Sequence, residues 1–448
     1  MRSLVGLLGA NALLALLGSG ALLATGTWDR LRPWSRVGPA LLAGFALAAV
    51  VLPPLIYAGV SPTPLVAGML TVAVMLAGLL VRRRRAGHAE ADASGHGLAV
   101  AVLLAVLLLP MLLRAAFEPL VKFDAYANWS LKAKLLYGHG GLVLGGLDDR
   151  MSSALYAVSH REYPIGLPAL EALDFHAMGG ADAQLIHLQF AIALGALMAT
   201  AWSLLRPHAH PLLLAGGLCL PAAAPSLHTQ VLAAYADVPL ACLWVAAALA
   251  LGLWLRSGRS DLLALAALLA AGALAIKQEG IVLDVALFAV AAVVLLAARQ
   301  AARLPALALA FGAVAATAIP WQAYVRHHGF HDADIAPSLG RSGDQLDQLP
   351  EILHRLGAQL VWLKWPAIVP LAVVVAGVLV VRRRDRIAAS YLLLLAAALT
   401  VLAVVYLNAR VYIPALLERS AERVVIAPVL LSAIALPMLL TRLVGTPD

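Results

Sequence analysis

An all-α polytopic membrane protein is the fold the sequence predicts: about thirteen transmembrane helices, with a long first extracytoplasmic loop carrying interfacial helices. Three observations predict it. Of 448 residues, 62% are hydrophobic and 12% charged, against about a quarter charged in a soluble domain. Apolar runs close to the roughly 20 residues that a membrane helix needs recur from end to end. The basic residues gather between those runs. Such a composition excludes an ordinary soluble enzyme and a disordered chain, because only a bilayer offers solvent for so much Leu, Ala and Val. The net charge of +8 is therefore read as topology and not as nucleic-acid binding.

The apolar runs place spans at 3–25, 38–59, 63–81, 97–114, 183–205, 211–227, 237–255, 261–277, 280–298, 304–320, 361–381, 387–407 and 424–441. The first is longer than the apolar core of a signal peptide and reads as an uncleaved span. Pro and Gly interrupt several runs, which membrane helices tolerate where neighbours satisfy the freed backbone groups. The alanine-rich tract 263–275 suits close helix packing. Cys219 and Cys242 lie inside apolar runs and read as small core residues with no disulfide framework.

Arg82 to Arg85 and Arg382 to Arg386 (with Asp385 between) are the strongest cytoplasmic markers. Alternation from them puts the N-terminus outside and the C-terminus inside, and makes the inside loops short and basic. The outside segments are 115–182, 321–360, 228–236, the turn near 277–280, and 408–423. They hold most acidic residues and most of the His, Tyr and Trp with a plausible polar task. Chemistry is therefore expected on the extracytoplasmic side of an integral, multi-pass protein.

In the first outer segment, a helix over 124–137 would set Asp124, Asn128 and Lys132 at i, i+4 and i+8 on one face, beside an apolar stripe of Trp129, Ala133 and Leu136. That pattern fits a helix lying in the membrane interface, with or without a catalytic task. The same segment ends on His160-Arg161-Glu162-Tyr163-Pro164, where Pro164 and Pro168 interrupt the helical pattern and set a turn. Tyr163 suits a substrate hydrogen bond or an interfacial anchor. Asp237 opens a span, where it caps a helix or serves a site. Lys277 and Glu279 share a tight outer turn, and Asp284, seven residues after Lys277, is placed to pair with it. Arg419 and Arg423 are i, i+4 neighbours, suited to a phosphate or to ion pairs with Glu418 and Glu422. His327, His328 and His331 with Asp332 and Asp334 read as a mobile polar lid and not a metal site, because Gly329 interrupts the segment and no helix frames it. No nucleotide-binding glycine loop or serine-hydrolase elbow appears, which argues against an ATP pump or an exposed serine hydrolase.

The order of these features resembles the GT-C superfamily of polytopic membrane glycosyltransferases, in particular the branch of aminoarabinose transferases, protein O-mannosyltransferases and lipopolysaccharide-core glycosyltransferases. The matching stretches are Phe123-Asp124 through Lys134, His160 through Glu171, Tyr235-Ala236-Asp237-Val238-Pro239, Lys277-Gln278-Glu279-Gly280 and Arg419 through Arg423. The resemblance implies a core over 97–448 and an N-terminal extension of three transmembrane helices over 1–96. It implies inverting transfer of a sugar from a polyprenyl-phosphate donor to a hydroxyl on a lipid, glycan or protein acceptor, at the outer face of a bacterial inner membrane; no cofactor and no metal ligand are assigned, and the single acid at Asp124 leaves metal dependence open. Asp124 then matches the catalytic carboxylate, although many relatives have an acidic pair where this chain has Ala125. Lys132, Lys277, Arg419 and Arg423 are candidates for the donor phosphate, and Asn128, Tyr163, Asp237 and Glu279 for substrate contact. The chemistry is consistent with those residue types: a polyprenyl phosphate is already a good leaving group, so the reaction needs one base for the acceptor hydroxyl and cations for the departing phosphate. A secondary transporter or lipid flippase is the alternative, although such proteins concentrate polar groups near the midplane and often show repeat symmetry.

Overall fold

A computed structural model describes residues 2–83, 96–139, 160–330, 335, 343–361 and 365–445. Among them the chain is helical, with one isolated bridge, Ile335 to Ala409, in place of any strand. The helices run in the order α1 Arg2–Thr25, α2 Val37–Tyr57, α3 Pro64–Arg83, α4 His96–Phe117, α5 Leu131–His139, α6 Gly166–Met178 and α7 His187–Leu205. Next come α8 Pro211–Ala222, α9 Pro225–Leu232, α10 Asp237–Ser257, α11 Ser260–Ile276, α12 Glu279–Ala297, α13 Leu304–Thr317 and α14 Ile319–His327. The series closes with α15 Leu349–Val361, α16 Ile368–Arg383, α17 Arg386–Leu407, α18 Ile413–Val424 and α19 Ile426–Val444.

Among the described residues ten helices are long and apolar enough to cross a membrane, and up to eleven if α8 and α9, bent by 56° from each other, make one broken span. The chain is an integral, multi-pass membrane protein. Two of the expected spans fall short of that length: α11 has 17 residues, as its run predicts, and α16 has 16, fewer than the run at 361–381. Others are longer than expected. The run expected at 304–320 extends from Ala301 to His327, and that at 424–441 from Ile413 to Val444, because amphipathic α18 leads almost directly into α19.

Small residues set the packing. α1 lies against α2 and α3, α2 against α6, α7 and α11, and α10 against α7, α11 and α19. At the α1–α2 crossing, a Cβ on Gly18 would collide with the Ala40 carbonyl, and one on Gly44 with that of Leu14. Two bare backbones thus touch, the usual way for membrane helices to gain close contact without a hydrophobic driving force.

Charge divides between the two ends of the bundle. Where α11 begins, Arg259 Nη2 meets Asp261 Oδ2 at 2.7 Å, and Arg30 Nε lies 3.8 Å from the same carboxylate. Arg82 Nη2 pairs with Asp29 Oδ1 at 2.8 Å. Arg442, near the end of α19, donates to Asp385 at 2.5 Å, and Asp385 also caps α17 through the amides of Ile387 and Ala388. The arginine-rich turns thus share one end. The candidate residues gather at the other, where α11 finishes.

Candidate functional site

The site begins where α4 ends. After Phe117 the chain runs without regular structure through Lys122, becomes helical at Phe123 and Asp124, and makes a π-helical turn over Ala125–Ser130 before α5. The expected segment is therefore helical, with its polar candidates turned inward. Asn128 and Lys132 are buried along with Trp129, Ala133 and Leu136. Phe123 and Tyr126 on the same segment stay exposed, so one face of it turns into the protein and the other outward, and α5 packs on α6.

Asp124 pairs with Arg423 of α18 through a hydrogen-bonded contact between Oδ2 and Nη1, 299 residues away in sequence. Arg423 also stacks over the Tyr235 ring, 5.0 Å from its centroid, and lies in the field of Asp237. Asp237, the first residue of α10, accepts from Lys277 Nζ at 2.9 Å. Lys277 reaches Glu279 Oε1 at 2.7 Å. The result is an alternating row: Asp124, Arg423, Asp237, Lys277, Glu279. The row is more open at its Asp124 end, with side chains 29% exposed at Asp124 and 19% at Arg423, against 4% at Lys277 and 5% at Asp237. Burial alone would lower the Lys277 ammonium, but the carboxylates of Asp237 and Glu279 outweigh it and hold the pKa above its usual value. Among the described residues, Nε of Arg423 and Oε2 of Glu279 lack hydrogen-bond partners.

Local backbone explains how the row assembles. Lys277 is extended between α11 and α12, so its side chain turns across to α10. Gly280 makes this turn fit, because a Cβ there would stand 2.7 Å from the Ala273 carbonyl oxygen and 2.8 Å from Leu274 Cα.

A second group flanks the row. His160 adopts a left-handed backbone, φ 50°, uncommon for a residue with a Cβ. Its carbonyl accepts from Lys132 Nζ at 2.5 Å and from the Tyr163 amide at 3.1 Å. Its ring meets Glu162 Oε1 at 3.0 Å and stacks on Tyr163, which in turn stacks on Trp129. The Glu162 carbonyl accepts from Gln278 and from the Trp321 indole, each at 2.8 Å. Gln278 lies between Lys277 and Glu279, so the two groups share one turn. Burial pulls the Lys132 ammonium down to about 7, partly offset by Glu162. Below lies a cavity of about 30 Å³, lined by Pro53, Tyr57, Pro164, Ile165, Ala275 and Trp321. It has room for about one water.

The candidates thus divide. Asp124, Asp237, Lys277, Glu279 and Arg423 form one row. Lys132 and Tyr163 lie in the flanking group, with Asn128 on the π turn between them and Asp124. Arg419 stands apart: it is exposed on α18 while Arg423 turns inward, so the pair does not form one clamp around an internal site. Glu422 accepts from Ser226 at 2.8 Å. The expected Lys277–Asp284 pair is not made. Asp284 is buried in α12 and neither carboxylate oxygen has a hydrogen-bond partner among the described residues. Pro168 does not interrupt a helix either, because it falls in the first turn of α6, where no backbone donor is needed. His327 and His328 close α14, while His331, Asp332 and Asp334 of the expected lid lie outside the described residues. No group of His, Cys, Asp or Glu among the described residues is arranged to hold a metal.

Sequence reasoning gave no role to His160, Glu162, Gln278 or Trp321. It also missed an acid pair in α6: Glu171 and Asp174 are fully enclosed, and Gln189 of α7 donates to Asp174. Burial pushes both carboxyls well up, and each also has an oxygen without a partner among the described residues. The α6 spacing carried the signal, since Glu171 and Asp174 stand one turn apart on an otherwise apolar helix.

No family model, curated protein or solved structure matches this chain.

Proposed function

We propose that this protein transfers a sugar from a polyprenyl-phosphate donor to an acceptor hydroxyl, with inversion, at the extracytoplasmic face of the membrane. The observation that carries the reading is the Asp124–Arg423 pair joined to Lys277 through Asp237. A partly open carboxylate stands beside an arginine with an unused donor, and further cations lie behind it. Asp124 takes the acceptor proton. Arg423 and Lys277 hold the donor phosphate as it gains charge, with Lys132 on the flank, while Tyr163, Asn128, Asp237 and Glu279 position substrate and cations. Exposed Arg419 serves at most the approach of the anion. The extracytoplasmic assignment rests on the arginine-rich turns at the opposite end, and the bacterial inner membrane on the family resemblance.

The test is polyprenyl-phosphate release by purified protein in proteoliposomes, across a panel of polyprenyl-phosphate sugars with membrane extract as acceptor. Asp124→Asn should lower release about 10²–10⁴-fold while the protein stays folded and inserted. Release within a few-fold of wild type would remove Asp124 as the base. One observation favours the transporter reading: Asp284, a buried carboxyl inside a membrane helix with no hydrogen-bond partner among the described residues, is the kind of group ion-coupled carriers use. Solute flux across the proteoliposomes with no covalent product would favour that alternative.

A further inference from the structure

α4 carries a lipid-facing stripe. Val102, Val106, Leu109 and Leu113 recur at three- and four-residue spacing and are each about half exposed. The stripe outlasts the helix. Phe117, Val121 and Phe123 are 76%, 75% and 73% exposed, and Tyr126 is 51% exposed. These four enclose Asp124 in sequence, and Asp124 turns inward to Arg423. Lys122 is exposed among them, and Arg114 pairs with Glu118 at 2.5 Å. Aromatic side chains alternating with cations at the end of a membrane helix mark a segment seated in the headgroup region. Gln184 fixes the end of α4 through the Ala116 carbonyl at 3.1 Å, and Phe117 continues the exposed stripe four residues after Leu113.

We propose that the acceptor is a lipid resident in the bilayer, whose hydroxyl-bearing headgroup reaches Asp124 over the lip of Phe117, Val121, Phe123 and Tyr126. A soluble glycan or a polypeptide arriving from water would meet four exposed apolar side chains in front of the base. A lipid keeps them against acyl chains while its headgroup passes inward. The proposal rests on the transfer reading above and narrows its acceptor to one class. In the step itself the acceptor O–H proton passes to the Asp124 carboxylate. The acceptor oxygen bonds to the anomeric carbon as that carbon's bond to the phosphate oxygen breaks, and the electron pair leaves with the polyprenyl phosphate.

Two measurements on the full chain test this. A photoreactive benzophenone amino acid replacing Phe123, or separately Val121, is irradiated in native membranes and the adduct is weighed. Lipid adducts at both positions are expected. Adducts only to polypeptide, a second copy of this chain included, or no adduct at all, would overturn the lip's seat in the bilayer. Donor breakdown is then followed with either the organic-solvent extract of membranes or their aqueous and protein fraction as acceptor. Polyprenyl-phosphate release should need the organic extract, and Phe123→Asp should raise the amount of extract needed severalfold with little change at saturation. Release supported by the aqueous and protein fraction alone would overturn the lipid acceptor and leave sugar transfer standing. No release with either fraction across the donor panel would reject the transfer reading and this proposal with it, whatever the adducts show about the lip.

Discussion

Lys277 is the least replaceable charge in the row, and the cost of removing it follows from its surroundings. Its ammonium lies 2.9 Å from Asp237 and 2.7 Å from Glu279, with 4% of its side chain exposed. At an effective dielectric constant of about 20, each contact carries about 6 kcal/mol of attraction. Most of that offsets the desolvation of the ions, so the pairs add little beyond an apolar replacement. Breaking them is different, because Lys277→Met would leave Asp237 enclosed with only Arg423 to balance it. A buried pair broken on one side costs about 3–5 kcal/mol, and the lower end of that range applies because Glu279 keeps some access to water. Adding Asp237→Asn to Lys277→Met should restore most of the loss, with a coupling of about 1–3 kcal/mol. Equilibrium unfolding in mixed micelles would measure the two single variants and the double. If Lys277→Met costs under about 1 kcal/mol, or the double variant is no better than it, the row is not an electrostatic unit and the argument fails.

Three further outcomes follow from the same geometry. Lys132, with its pKa near 7, is a cation below that pH. Apparent donor affinity should therefore fall as pH rises through about 7, and Lys132→Arg should flatten the profile in a pH series of donor KM. The folded chain also holds fewer protons than the unfolded chain between about 7 and the usual lysine value near 10.5, so stability from this group rises with pH across that window. Glu171 and Asp174, with carboxyls raised by burial, act with the opposite sign: folding holds their protons, and stability falls by up to about 1.4 kcal/mol per pH unit per group above the ordinary carboxyl range. Glu171→Gln with Asp174→Asn should thus stabilise the protein at pH 8 more than at pH 5, as read by thermal unfolding at both. Arg419→Ala should change donor affinity and turnover little, whereas Arg423→Lys should impair both and Arg423→Ala impair them more; equal effects at Arg419 and Arg423 would contradict the inward and outward placement of the two side chains.

The helices were legible because bilayer solvent writes them as long apolar runs, and the arginine turns were legible because they stand between those runs. The thirteen expected spans blurred where length alone does not separate a span from a buried helix, as in α11 and α16. The candidate site was legible in part for a related reason. A charge at the edge of a membrane run is costly enough to stand out, so Asp124, Asp237, Lys277, Glu279 and Arg423 could each be singled out. Their partners could not. The spacing of Lys277 and Asp284 allowed a pair on an ideal helix, yet the extended Lys277 breaks the helix and turns the ammonium toward α10. The i, i+4 spacing of Arg419 and Arg423 put both on one face, yet Asp124, 299 residues away, draws only the second inward. His160 and Trp321 act through a strained turn and a backbone carbonyl, and neither feature is written in residue type.

The row has a consequence for the proposed reaction. Asp124, Asp237 and Glu279 outnumber Arg423 and Lys277, and each cation already has a carboxylate partner. A donor phosphate entering this site is not met by free positive charge, and it must exchange partners. Arg423 is the place where exchange is easiest, because its Nε donor is unused and its partner Asp124 is the most open carboxylate of the row. A phosphate that draws the guanidinium toward itself releases Asp124 toward the acceptor. The contact that holds the resting site together therefore keeps the base occupied until a donor arrives. This suits an enzyme whose donor is a high-energy phosphate ester exposed to water at the membrane edge, since the base is freed for attack only after the leaving group is held.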